Sequence, residues 1–159
     1  MIYDTTKAEL RGETEVVFRR DFRHPPERVF EGLTRPEILR KWLLGPPGWE
    51  MTVCEMPGGP GPYRWRWRHP ERGEFGFDGD FTVWDRPGAL HFTQNYDPGS
   101  HGVGMAARVM VEQTLTALDR GSRMEVVMRY DSAEDRDAAM ATGMAEGMEM
   151  SYAGLEAAL

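Results

Sequence analysis

Residues 63–68 read Tyr-Arg-Trp-Arg-Trp-Arg. Strict alternation of this kind belongs to an extended strand, whose successive side chains point to opposite faces. One face then carries Tyr63, Trp65 and Trp67, and the other Arg64, Arg66 and Arg68. An aromatic face offers large apolar area for holding a small molecule. Arginines interleaved with aromatics also suit an anion or a nucleic-acid strand. The same pattern equally describes a half-buried strand whose solvated arginines pair with acids on neighbouring strands.

A second feature is the row Met140, Met144, Met148, Tyr152, Leu155 and Leu159, three or four residues apart. That spacing is one stripe of an α-helix. Methionine adapts to irregular neighbours, so the stripe serves either as plain core or as the wall of a pocket with a changing occupant. Gly143, Gly147 and Gly154 interrupt the same helix, each at roughly 1 kcal/mol relative to alanine. They mark close backbone approach or space left open. The candidate pocket is therefore Trp42, Trp49, Tyr63, Trp65, Trp67, Phe81, Met144, Met148 and Tyr152.

Groups suited to covalent or metal chemistry are sparse. His24, His69, His91 and His101 lack metal-ligand spacing. Cys54 is the single cysteine, so no internal disulfide forms. Asp78-Gly79-Asp80 lacks the rest of a calcium loop. The run Gly102-Val103-Gly104-Met105-Ala106-Ala107 partly matches a dinucleotide fingerprint, but it opens a strand pattern rather than a helix. Glu55, Glu74, Asp80 and Glu112 would serve as acid or base groups if they faced inward, and otherwise as solvated surface. No catalytic residue, metal or cofactor is expected.

The elements that must position the aromatic and methionine faces follow from punctuation. Residues 1–13 are polar, without periodicity, and read as a loose arm. Thr14 to Phe22 alternates and predicts a strand. Pro26 suits the first turn of a short helix over Glu27–Leu33. Pro36 opens a second, with Ile38, Leu39 and Trp42 on one side. Gly45-Pro46-Pro47-Gly48 ends it. From 49 to 130, alternating runs separated by Gly/Pro clusters predict strands near 50–56, 62–68, 74–84, 89–95, 106–118 and 122–130. Ser132, with Asp135 three residues on, is a helix cap. The stripe predicts one continuous helix over 133–158, roughly 39 Å long at 1.5 Å per residue.

Composition bounds the partners. The 159-residue chain is the size of one domain. Its formal net charge of -7 argues against a general nucleic-acid binder, which runs on Lys and Arg. No window nears the ~18 apolar residues of a membrane span. Residues 1–13 carry acids and no apolar run, so a secretory leader is not expected and the cytoplasm is the expected compartment. Among 19 basic residues only Lys7 and Lys41 are lysine, a bias of GC-rich bacterial genomes.

Several pieces together carry a family resemblance. They are Phe18-Arg19-Arg20-Asp21-Phe22-Arg23-His24-Pro25-Pro26-Glu27-Arg28-Val29-Phe30, then Leu33-Thr34-Arg35-Pro36-Glu37 with Trp42 and Gly45-Pro46. Next come Pro57-Gly58-Gly59, Gly79-Asp80-Phe81 with Asp85-Arg86-Pro87, and Gly143-Met144-Ala145-Glu146-Gly147-Met148 with Leu155. In order and spacing, over residues 16–159, the chain resembles the START-like (helix-grip) superfamily. Within it, the chain is similar to the branch named for the activator of the heat-shock-protein-90 ATPase. The resemblance implies an α+β helix-grip fold: a curved antiparallel sheet of six to seven strands around a long C-terminal helix, with two short helices after the first strand. Residues 14–159 would form that single domain. Leu43 stands where the family usually has a second tryptophan, and Met148 where an aromatic is usual. The loop Pro57 to Pro62 is longer than usual. These departures alter pocket shape, so no particular ligand carries over.

Three functions fit this fold, which hosts many activities. The first is a binding module for a small apolar or aromatic molecule. The second is an enzyme of the cyclase or dehydratase type, which needs an inward carboxylate, histidine or tyrosine. The third is a co-chaperone that stimulates a chaperone ATPase. A homodimer is compatible with each.

Overall fold

The computed structural model describes residues 2–100 and 108–159. His101, the dinucleotide-like run over 102–107 and the beginning of the strand expected from 106 lie outside them. The chain order is β1 (Lys7–Arg11), β2 (Glu15–Phe22), α1 (Pro26–Thr34), α2 (Pro36–Trp42), β3 (Glu50–Glu55), β4 (Gly61–His69), β5 (Gly73–Asp85), β6 (Ala89–Asp97), β7 (Arg108–Leu118), β8 (Gly121–Tyr130), α3 (Ala133–Met140) and α4 (Met144–Ala158). The strands form one sheet in the order β1-β2-β8-β7-β6-β5-β4-β3. Every pairing is antiparallel. Thus β3 to β8 are a meander, and β2 returns to pair with β8.

Alternation sorts the side chains. One face of the sheet carries Phe18, Trp65, Phe92, Val111 and Val126, all buried. The other carries cross-strand ion pairs, among them Arg19 with Glu9 at 2.8 Å and with Glu125 at 2.9 Å. Register shifts at Met51/Val53 and Phe81/Val83 are bulges, which bend strands and raise their twist. The sheet curves around the C-terminal helix. Helices α1 and α2 begin at Pro26 and Pro36, where proline's missing N–H is harmless.

Two differences from the sequence expectation have physical causes. First, the presumed arm over 1–13 contains β1, so the sheet has eight strands rather than six to seven. All five β1 residues are exposed, so no buried face imprints alternation on the sequence. Its ladder to β2 holds it, with Arg11 and Glu15 paired at 2.9 Å. Second, the single helix expected over 133–158 is two. Gly143 sits at φ +81°, a left-handed conformation that ends α3 and starts α4. The Thr142 hydroxyl donates to the Ala139 carbonyl at 2.6 Å and helps close the first segment. The Ser132 cap behaves as expected and accepts from the Asp135 amide at 3.0 Å.

Candidate functional site

Tyr63, Trp65 and Trp67 are buried on the concave face of β4, while Arg64 and Arg68 are exposed. Arg66 is half-buried. Its Nη1 lies 2.6 Å from Asp97 Oδ2, and that guanidinium holds the Asp97 carboxyl below the usual carboxylate range. Arg64 stands between Glu55 and Asp78 on the ladder, and Arg68 between Glu50 and Glu74. Cross-strand acids therefore balance the arginine row.

Between the concave face and the helices lies a cavity of about 230 Å³. Trp65, Phe77, Phe81, Phe92, Val111, Val126 and Met128 form its sheet wall. Leu33, Leu39, Trp42 and Leu43 close it from the α1–α2 side, and Met144, Met148, Ser151 and Tyr152 from α4. The Trp42 indole N–H donates to the Gly32 carbonyl at 2.8 Å, which fixes its ring against α1. Gly154 faces Trp42, and a Cβ there would lie 3.6 Å from Trp42 Cβ, an ordinary van der Waals contact. The Tyr130 hydroxyl donates to the Met144 sulfur at 3.4 Å, tying α4 to β8.

Of the nine residues singled out from sequence, Trp42, Trp65, Phe81, Met144, Met148 and Tyr152 border this space. Trp49, Tyr63 and Trp67 do not. Tyr63 packs on Trp65, Phe81 and Phe92, and its hydroxyl donates to Thr93 O at 2.7 Å. Trp67 stacks on Phe75 with centroids 5.2 Å apart, and its indole N–H donates to Leu43 O at 2.9 Å. Trp49 meets the edge of Phe75 at 4.8 Å and His69 at 5.3 Å. Together Trp49 and Trp67 anchor the turn over residues 43–49. Aromatic contacts of this geometry add about 0.5–1.5 kcal/mol each beyond buried area.

Among the lining residues outside those nine, two are amides: Gln94 and Gln113. Their signal was a break in phase. Gln94 continues the inward series Leu90, Phe92, and Gln113 sits inside the series Val109, Val111, Leu115. Neither amide has a hydrogen-bond partner among the described residues.

The cavity's chemistry is neutral. Among the described lining residues none carries a carboxylate, imidazole, ammonium or guanidinium. Tyr152 is the one titratable group among them, and burial pushes that phenol well above its ordinary value. Burial likewise pushes Tyr130 up to about 12. Both stay protonated at neutral pH, and Tyr130 donates to Met144. The acids considered for catalysis lie elsewhere: Glu55, Glu74 and Asp80 are exposed, and Glu112 is 3.8 Å from Arg129. Among the described residues, no group of three or more His, Cys, Asp or Glu is placed to hold a metal ion. No described helix is long and apolar enough to cross a membrane.

A curved antiparallel sheet gripping a C-terminal helix, with two short helices closing one end, is the helix-grip fold of START-like domains. A model of the family described as activator of Hsp90 ATPase homolog 1-like protein matches residues 23–159, and the chain belongs to that family. The crystal structure of a Rhodobacter sphaeroides protein superposes with a TM-score of 0.87 at 30% identity, over 97% of each chain. A Mycobacterium smegmatis protein gives 0.81 at 22% identity, over 98% of this chain and 96% of its own. A Nitrosomonas europaea protein gives 0.79 at 22% identity, over 94% and 96%. At 22% identity the last two bear on the fold alone. No curated protein matches the chain.

Proposed function

We propose that the chain is a cytoplasmic binding module that holds one small apolar or aromatic molecule between α4 and the concave sheet. The observation that carries this reading is the cavity itself, about 230 Å³ and walled almost entirely by apolar side chains. An apolar cavity of roughly 150 Å³ already takes up benzene. A space of this size therefore suits one ring or two fused rings. Methionines on α4 and β8 let the wall adapt to the occupant.

Binding is a better reading than acid–base catalysis, because the described lining residues offer no group poised to exchange a proton near neutral pH. The activator role in the family's description is a property of its namesake. No feature of this chain's surface is needed to explain the cavity.

Equilibrium dialysis against naphthalene tests the reading. Saturable binding of one naphthalene per chain is expected. Met144→Trp should abolish it while the near-ultraviolet circular dichroism stays native, because the indole occupies the space. Absence of saturable binding to the parent would overturn the proposal.

A further inference from the structure

The cavity's two amides stand on neighbouring strands of its sheet wall. On the β6–β7 ladder Gln113 is opposite Leu90, Phe92 is opposite Val111, and Gln94 is opposite Val109. The glutamines are thus four residues apart along the strands, on the order of 13 Å at ~3.3 Å per residue. The rung between them is wholly apolar. Both side chains border the cavity, and neither amide has a partner among the described residues.

Both glutamines are only half-buried, so water in the cavity can reach the amides; a ligand that displaces this water must bond them or leave them unpaired at a cost. A glutamine side chain offers both a donor and an acceptor, so it addresses a hydroxyl, carbonyl or amine equally well. The protonated Tyr152 hydroxyl adds a third uncharged partner from the helix side. An anionic or cationic ligand would meet no opposite charge among the lining residues, and its burial would go uncompensated.

Resting on the reading of this cavity as a binding site, we propose that its ligand is an uncharged, elongated apolar molecule with a hydrogen-bonding atom at each end, spanned between Gln94 and Gln113. Side chains on one face project off the sheet, so the ~13 Å backbone spacing is the outer bound on the separation of its two polar atoms. A two-ring aromatic diol or hydroxyketone fits within that span.

The test uses three probes of one shape: naphthalene, 2,6-dihydroxynaphthalene and naphthalene-2,6-dicarboxylate. Equilibrium dialysis gives each dissociation constant for the full chain and for Gln94→Met and Gln113→Met. Methionine keeps the side-chain length and removes the amide. The diol should bind at least about tenfold tighter than naphthalene, the worth of two ordinary net hydrogen bonds, although water solvates the diol better. The dicarboxylate should not bind. Each methionine variant should remove about half of the diol's advantage over naphthalene in free energy, roughly threefold in the ratio of their dissociation constants. If naphthalene binds as tightly as the diol, or the dicarboxylate matches the diol, the polar-ended ligand is ruled out while the cavity reading stands. If neither naphthalene nor the diol binds, the cavity reading fails and this inference falls with it. Native near-ultraviolet circular dichroism of each variant separates loss of binding from loss of fold.

Discussion

The Tyr63 hydroxyl donates to the main-chain oxygen of Thr93 at 2.7 Å, from β4 to β6 across the intervening β5. Gly79 is Tyr63's partner on the β5 ladder, and a Cβ there would lie 2.0 Å from the same Thr93 oxygen. The bare glycine is what leaves room for this bond. Burial pushes the Tyr63 phenol far above its ordinary value, so the hydroxyl remains a donor across the physiological range. Tyr63 is therefore a tie within the sheet beside the cavity.

Removing the tie separates stability from binding. Tyr63→Phe should cost about 1–2 kcal/mol in urea unfolding, since the Thr93 carbonyl loses a partner in a dry place. Naphthalene affinity should stay at the parent value, because Tyr63 does not border the cavity. Gly79→Ala should cost more, about 2–3 kcal/mol, because its methyl meets backbone that cannot step aside. Equal costs for the two changes would contradict this description of the crossing.

The helix break offers a second contrast. Gly143 holds φ +81°, so Gly143→Ala should destabilise by about 1–2 kcal/mol. Gly147 lies inside α4 with nothing within 4 Å of its would-be Cβ, and Gly147→Ala should stabilise by about 0.5–1 kcal/mol. Thermal unfolding of both variants checks the signs. A stabilising Gly143→Ala would mean that α3 and α4 form one helix in solution.

Acid should weaken the fold through the ion pairs of the outer face. The hydrogen bond from Arg123 lowers the Asp21 pKa, with Arg123 Nε 2.7 Å from Oδ1. Hydrogen bonds from Arg11 and Arg129 lower that of Glu15. Both native carboxyls bind protons more weakly than in the unfolded chain. Their contribution is thus complete above the unfolded values near pH 4 and drains away as pH falls through the native ones. Unfolding free energy should be level from about pH 7 to about pH 5 and then fall. Asp21→Asn should make that fall shallower; an unchanged slope would show that the Asp21–Arg123 pair does not form in solution.

Binding, in contrast, should ignore pH. Every described lining group is neutral between about pH 5 and about pH 9, Tyr152 because burial raises its phenol further. The dissociation constant for naphthalene should be constant over that span. A titration step inside it would reveal an ionisable group in the cavity wall.

Much of this was legible in the residues. Alternation in Tyr63 to Arg68 assigned the faces of β4, and the Met144, Met148, Tyr152 stripe assigned the buried side of α4. Which aromatics border space and which fill it was not legible, because hydrogen bonds to distant backbone decide it. Trp67 is drawn to Leu43 O and Tyr63 to Thr93 O, and sequence spacing carries no trace of either bond. Strand β1 was hidden because an edge strand with no buried face needs no pattern. The break at Gly143 was hidden because glycine inside a helix and glycine ending one look alike. Gln94 and Gln113 were readable in principle, as single polar residues in phase with apolar ones. They passed as ordinary strand polarity because only the folded register shows that both border one cavity.

The most direct test of the cavity as a ligand site is the methyl spectrum of 13C-methyl-methionine protein titrated with naphthalene. Met128, Met144 and Met148 line the cavity, whereas Met150, on the outer side of α4, is 69% exposed. A bound aromatic ring should shift the three cavity methyls together, with one saturable dissociation constant, and leave Met150 in place. Unmoved signals from Met128, Met144 and Met148, or shifts confined to Met150, would contradict a binding site between α4 and the sheet.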